Sequence, residues 1–371
     1  MTLPFLTNIT FLMAVGIMLV PKALSLMVSS NGHLTRDPDY RGEWILPLLF
    51  SIFLGVWIGG RYLLSIYGDT LSYARTYDLT SVLSTDEITV DVGSEWFWGI
   101  IGNICHAAGL DVHGYFTVIA LIYTLTAMWA AKKFCPTDPY LATMFVVSSL
   151  FYYNFAINGL RNGVACHMIL LAMAFLMEDK RIIALIIAFL AMGIHRSTML
   201  PIAAVIAAMT VIKEPKYAFY IWLAAIPVSL LFSSSFVSMM GSLGFDERMS
   251  QYAQGHGHQG MFTRVGFRWD FLAYSAGAVW FYYISAFKKG LRDGWYNIIA
   301  TTYLLSNAFW ILIITIEYSN RFAYLSWFLY PIVVAYPLCN MRAWGDSQEL
   351  MAGFTLLGYY ALTFILQYFV F

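Results

Sequence analysis

The sequence predicts an all-α polytopic membrane protein with about twelve transmembrane helices, some of them short or broken. Three observations predict it. Hydrophobic residues make up 60% of the chain and charged residues 11%, with zero net charge, whereas soluble domains carry about 25% charged residues. Apolar runs long enough to cross a bilayer recur along the whole sequence. Every lysine falls on one side of the map those runs define.

The neutral balance offers no footprint for nucleic acid. No repeat, low-complexity tract or linker interrupts the chain, so residues 1–371 read as a single integral-membrane domain. The first run, Leu3–Val28, has neither a basic start nor a small-residue cleavage site and reads as a retained span. Cys105, Cys135, Cys166 and Cys339 are scattered, without metal-ligand spacing, and read as apolar filler. No metal or cofactor is expected.

The spans run in order Leu3–Val28, Ile45–Ile66, Gly114–Trp129, Tyr140–Ile157 and Arg161–Met177. A short pair follows, Ile182–Ile194 and Thr198–Ile212, and then Tyr217–Val237, Phe271–Phe287, Tyr296–Ile316, Phe322–Leu338 and Leu350–Phe371. A weaker run, Trp96–Leu110, lies between Glu95 and Asp111 and is broken by Gly99, Gly102, Asn103 and His106. It reads as an interfacial or re-entrant helix.

The hairpin Asn158–Ser197 organises the rest. One arm rises from Arg161, turns at Glu178-Asp179-Lys180-Arg181, and the other returns to His195. At 1.5 Å per residue the arms span roughly 27 Å and 21 Å, so Arg161 and His195 come back to one side, with His195 about 6 Å deeper. His195-Arg196-Ser197 then separates two short helices partly within the bilayer. Polar, non-helical backbone at that depth is tolerated only where protein or a water-filled cavity surrounds it.

Sidedness follows from Lys22, Lys132, Lys133, Lys180, Lys213, Lys216, Lys288 and Lys289. Positively charged short loops stay in the cytoplasm, so the turns at Lys132, Lys180, Lys213, Lys288 and Arg342 are inside and both termini outside. The outer face holds Arg75, Arg161, Arg196, Arg248, Arg264, Arg268 and Arg321, with Arg61 near the boundary. It also holds the two longest loops, 67–112 and 238–270, read as external and partly amphipathic. Guanidinium groups bind phosphate and carboxylate through a rigid charged fork. The predicted outer face therefore recognises anions.

Each constellation on that face has a functional and a structural reading. Asp69, Tyr73 and Tyr77 share a helix face at four-residue spacing; they suit a sugar, or they are a helix-start acid with interfacial tyrosines. Glu95 precedes Trp96 and Trp98, as an acid beside sugar-stacking rings or as a cap beside interfacial tryptophans. Arg161, flanked by Asn158 and Asn162, opens a span; it binds an anion there or snorkels. At His195-Arg196-Ser197-Thr198, Ser197 suits a helix N-cap. Free N–H groups and Arg196 make that break an anion site, with His195 as base or phosphate donor. In the long loop, Asp246, Glu247, Arg248, Gln251 and Tyr252 precede Gly255-His256-Gly257-His258-Gln259-Gly260, a mobile substrate lid rather than a metal tract. Arg264 and Arg268 hold phosphate or pair with Asp270 or headgroups. Glu317 and Arg321 form a local pair at i,i+4, or Arg321 is a second anion-binding arginine.

The ordered set resembles a known family. An external Asp69…Tyr73 loop, Glu95 ahead of a membrane helix, Arg161 at a span start, His195-x-Ser197 at a break, Tyr252 in a loop and a late external Arg321 resemble the EpsG-type members of the Wzy-like bacterial polysaccharide polymerases. Asn162 stands where the family commonly has Gln, and Arg196 occupies the variable place between His and Ser. The resemblance implies a GT-C-like glycosyltransferase in the bacterial inner (cytoplasmic) membrane. It would join oligosaccharide repeat units of an O-antigen, capsule or exopolysaccharide at the outer face. Each unit would be carried on undecaprenyl pyrophosphate, which leaves. The expected partners are that lipid-linked oligosaccharide, the bilayer and a chain-length regulator.

On this reading Asp69, His195 and Glu95 are the candidate bases. Arg161 and Arg321, with Arg264 or Arg196, bind the pyrophosphate, supported by Ser197, Tyr73, Tyr252 and Asn162. The alternative is a transporter or flippase for lipid-linked oligosaccharide. That fold calls for matched broken helices in both halves, and only the break at His195 is evident. A membrane O-acetyltransferase would need a histidine facing an acyl-donor channel, which His167 and His195 do not obviously build.

Overall fold

A computed structural model describes residues 3–29, 41–64, 67–82, 95–242, 266–316 and 318–370, and among them all regular structure is helical. The helices run α1 Leu3–Val28, α2 Ile45–Gly59, α3 Thr70–Val82, α4 Trp96–Ala107, α5 Val112–Phe134, α6 Pro139–Val147, α7 Tyr152–Ile157 and α8 Leu160–Met177. They continue with α9 Arg181–Ile194, α10 Met199–Thr210, α11 Pro215–Ser242, α12 Trp269–Tyr283, α13 Gly294–Leu312, α14 Ser319–Trp327, α15 Tyr330–Asn340 and α16 Gln348–Ile365.

Local chemistry sets several starts. The carboxylates of Asp111, Asp138 and Asp293 accept the N–H of Gly114, Leu141 and Tyr296, satisfying donors that an α-helix leaves open. Pro139 sits in the first turn of α6, where its missing N–H costs nothing. Two runs that read as continuous are broken. Tyr140–Ile157 divides into α6 and α7 around Phe151, held at φ 67°. Phe322–Leu338 divides between α14 and α15 just before Pro331, whose ring cannot follow a preceding helical turn.

Six helical stretches among the described residues are long and apolar enough to cross a membrane: Thr7–Val28, Val112–Phe134, Leu160–Met177, Pro215–Ser233, Ser319–Asn340 and Gly345–Tyr368. Ile45–Gly59, Arg181–Ile194 and Arg196–Thr210 are apolar but shorter. Large apolar side chains point outward, among them Ile182 at 75% and Leu231 at 74% exposure. Such surfaces need a hydrocarbon solvent. The chain is a multi-pass membrane protein.

The chain forms two compact units. In the unit of residues 1–195 and 335–371, α2 packs on α5, α5 on α8, α8 on α9, and α1 on α16. Lys133 at the end of α5 donates to both oxygens of Glu178, at 2.7 and 2.8 Å, and Lys180 lies 2.9 Å from the same carboxylate. Burial pushes the Glu178 carboxyl up, but these two ammonium groups outweigh it and hold it below its ordinary range. Lys132 lies 3.4 Å from the Trp44 ring centroid. The turns and helix ends carrying Lys132, Lys133 and Lys180 therefore meet through Glu178 and nearby rings.

In the unit of residues 196–334, α13 packs against α10, α11 and α14. Its buried Asn307 is a polar hub. Asn307 Oδ1 accepts from Trp222 Nε1 at 2.7 Å, and Nδ2 donates to Ser275 Oγ and Ser326 Oγ at 3.1 and 2.9 Å. Ser275 Oγ also accepts from Trp327 Nε1 at 2.7 Å. Satisfied networks of this kind fix one packing where apolar contacts alone are permissive.

Candidate active site

The hairpin brings Arg161 and His195 together through a third residue. Arg161 sits in the first turn of α8, and α9 ends at Ile194 with His195 in extended backbone beyond it. Glu95, immediately before α4, lies between them. Its Oε2 accepts from Arg161 Nη1, and its Oε1 lies 2.6 Å from His195 Nδ1. The three side chains keep about a fifth of their surface exposed, at 23%, 20% and 21%.

That geometry fixes a tautomer. A carboxylate only accepts, so His195 donates from Nδ1, and in the neutral imidazole Nε2 is the accepting nitrogen. Arg161 Nε donates to the Tyr73 hydroxyl at 3.2 Å, and the guanidinium carbon lies 5.6 Å from the Tyr73 ring centroid. The remaining Arg161 N–H groups have no acceptor among the described residues. The arrangement sets an imidazole and an arginine fork on the two oxygens of one carboxylate.

Gly193 makes the approach of α4 possible. A Cβ there would stand 2.6 Å from Trp96 Cε2 and 2.9 Å from Phe97 Cβ. The Trp96 ring also packs against Phe189 at 5.4 Å. A close α4–α9 crossing thus carries Glu95 to His195, two residues beyond the glycine.

Behind the polar groups runs a series of rings. Tyr73 packs on Trp98 at 5.6 Å, Trp98 on Tyr115 at 6.1 Å, Tyr115 on Tyr77 at 4.4 Å, and Tyr77 on His106 at 3.7 Å. Tyr77 is buried and donates its hydroxyl to the Leu110 carbonyl at 2.8 Å. It serves packing, whereas Tyr73, one turn earlier, faces Arg161. Asp69 directly precedes α3, and its backbone carbonyl accepts the Tyr73 N–H.

Other predicted residues fall elsewhere. Asn162 is buried and its Oδ1 accepts from Cys166 Sγ at 3.2 Å, so it faces the interior. Arg196 is exposed and Ser197 buried within a 3-10 turn, Arg196–Thr198. The N-cap position of α10 is Thr198, not Ser197, and its side chain makes no cap bond, because the 3-10 turn runs directly into the helix. Arg268 grips Asp270 through two bonds of 2.9 and 2.6 Å, the local pairing. Arg321 lies 5.0 Å from the Tyr318 ring centroid. Arg248, Tyr252, His256, His258, Arg264 and Glu317 lie outside the described residues.

The family model for the EpsG family matches residues 44–371. The chain belongs to the EpsG family. That family comprises Wzy-like polysaccharide polymerases, which makes this EpsG-family chain a membrane polymerase of the glycosyltransferase kind. No curated protein sequence and no solved structure matches it.

Sequence reasoning named Arg161, Glu95, His195 and Tyr73 but did not place Glu95 between Arg161 and His195. Its bridging role rests on contacts 66 and 100 residues apart in sequence. Gly193 went unnoticed as well, since a single glycine in an apolar run signals no particular partner.

Proposed function

We propose that the protein polymerises oligosaccharide repeat units carried on undecaprenyl pyrophosphate, at the outer face of the bacterial inner membrane. The fold would be GT-C-like with about twelve crossings, some of them short or broken. The observation that carries this reading is the Glu95 carboxylate held between Arg161 and His195.

A hydroxyl of the incoming unit attacks the anomeric carbon of the growing chain. The new C–O bond forms as the bond from that carbon to the pyrophosphate oxygen breaks. The hydroxyl proton passes to His195 Nε2, a general-base role. Glu95 orients the imidazole and meets the positive charge it acquires, as a carboxylate does behind a catalytic histidine. Arg161 meets the charge growing on the departing pyrophosphate, where preorganised donors contribute most. Tyr73 and Trp98 offer ring faces and a hydroxyl suited to sugar. Asp69 remains a sugar contact in this scheme. Arg321 and Arg196 are proposed anion contacts on their chemistry alone, as are Arg264 and Tyr252, and a chain-length regulator is a proposed partner.

The test uses purified protein in detergent, where no gradient exists, with undecaprenyl-pyrophosphate-linked repeat units extracted from cells lacking the polymerase. A ladder of chain lengths with release of undecaprenyl pyrophosphate supports the proposal. Intact substrate, from protein that moves the same lipid across vesicles, assigns it to a transporter.

A further inference from the structure

We propose that Asn158, with Thr70 and Arg61, is a positioning clamp that sets Tyr73 against Arg161. The inference deepens, and rests on, the reading of Arg161 as the pyrophosphate contact.

Two hydrogen bonds join the start of α3 to the end of α7. The Asp69 N–H donates to Asn158 Oδ1 at 2.8 Å, and Thr70 Oγ1 donates to the Ile157 carbonyl at 2.5 Å. The Arg161–Tyr73 bond follows one turn later along α3 and, on the other side, just past the Gly159 break between α7 and α8. Three residues separate Asn158 from Arg161, and three to four separate Asp69 and Thr70 from Tyr73. Along α3, at 1.5 Å per residue, that places the second rung roughly 5 Å from the first. One rung allows two helices to pivot, whereas two rungs fix both their shift and their rotation.

Gly68 shows how close this approach is. It adopts φ +61°, and a Cβ on it would collide with the Asn158 amide. Arg61 secures the other side. Its Nη1 donates to the Ile58 carbonyl at 3.0 Å and its Nε to Thr70 Oγ1 at 3.5 Å, tying the end of α2 to the clamp. The guanidinium carbon lies 4.0 Å from the Phe116 ring centroid, and Arg61 is only 8% exposed. Among the described residues no carboxylate pairs with it, and its Nη2 has no acceptor. The carbonyl end of α2 and the ring face are what stabilise its charge. None of the three residues needs to touch substrate to act.

The test combines hydrogen exchange with kinetics on the full-length protein in detergent. Asn158→Leu removes the acceptor at similar size, and Asn158→Asp keeps it. The clamp predicts at least tenfold faster exchange across residues 67–77 in Asn158→Leu and near wild-type exchange in Asn158→Asp. With undecaprenyl-pyrophosphate-linked repeat units, kcat/KM should fall about 10- to 100-fold in Asn158→Leu, the scale of a misplaced catalytic group. Asn158→Asp should restore most of it. Tyr73→Phe should cost fivefold or more alone but less than twofold in the Asn158→Leu background, because both act through one rung.

Unchanged exchange in Asn158→Leu overturns the clamp. Faster exchange with full activity, or additive costs with Tyr73→Phe, overturns its positioning role. Full activity in Arg161→Ala overturns the proposed function instead, while the exchange data still decide whether the clamp exists.

Discussion

Replacing Glu95 by Gln keeps size and shape but removes one acceptor. In the native site Oε2 accepts from Arg161 Nη1 and Oε1 lies 2.6 Å from His195 Nδ1. A glutamine has a single carbonyl oxygen and an amide that donates. If the oxygen stays with Arg161, the amide points at His195 Nδ1. The ring must then accept there and carry its proton on Nε2, the tautomer that cannot act as a base. If the oxygen turns to His195, the amide faces an arginine donor, and a charge-assisted bond of about 1.5–3 kcal/mol is lost. General-base catalysis contributes about 10²- to 10⁴-fold, so kcat for Glu95→Gln is expected to fall about 10²- to 10³-fold. The thermal midpoint should stay within a few degrees, since all three side chains are partly exposed. Glu95→Asp should be intermediate, because a shorter carboxylate reaches one partner but not both. The assay is ladder formation by purified protein from lipid-linked repeat units. A Glu95→Gln enzyme with a third or more of the wild-type rate would refute the reasoning.

Three further outcomes are expected. Gly193→Ala puts a methyl 2.6 Å from Trp96 Cε2, which should cost about 1–3 kcal/mol of stability by overpacking and reduce polymerisation by displacing Glu95; a wild-type melting curve would contradict it. Asn307→Leu strands Trp222 Nε1 without its 2.7 Å acceptor and should lower the thermal midpoint, at about 1–3 kcal/mol for the orphaned donor. The folded-state Glu178 carboxyl is depressed by Lys133 and Lys180, so its stabilisation is present above the ordinary carboxylate range and is lost as pH falls through the folded value. Solvent screening limits that contribution to below about 1 kcal/mol. Glu178→Gln should flatten this acid-side loss in melting experiments, and an unchanged pH profile would remove Glu178 from the account.

The hairpin was legible because its punctuation is polar. Glu178-Asp179-Lys180-Arg181 and His195-Arg196-Ser197 stand out in apolar surroundings, and α8 and α9 begin and end within a residue of the expected positions. The break at Phe151 was not, since no glycine or proline marks it and the strain sits on a phenylalanine. The break near Phe328 had its signal in Pro331, but apolar length outweighed it. At the site, residue types were readable and partnership was not. Arg161, His195 and Glu95 carry chemistry in any polar break of a membrane helix, yet which acid meets which base is set by α4 crossing α9. Asn162 shows the converse. Its neighbour Arg161 suggested a substrate contact, while helical geometry turns it about 100° away, into the core beside Cys166.

The most direct test of the central claim is a density map of the protein with an undecaprenyl-pyrophosphate-linked repeat unit bound. The account predicts phosphate density within about 3 Å of the Arg161 guanidinium, with the first sugar between that group and His195. Phosphate density remote from Arg161, with Glu95 still bridging an empty pair, would contradict it.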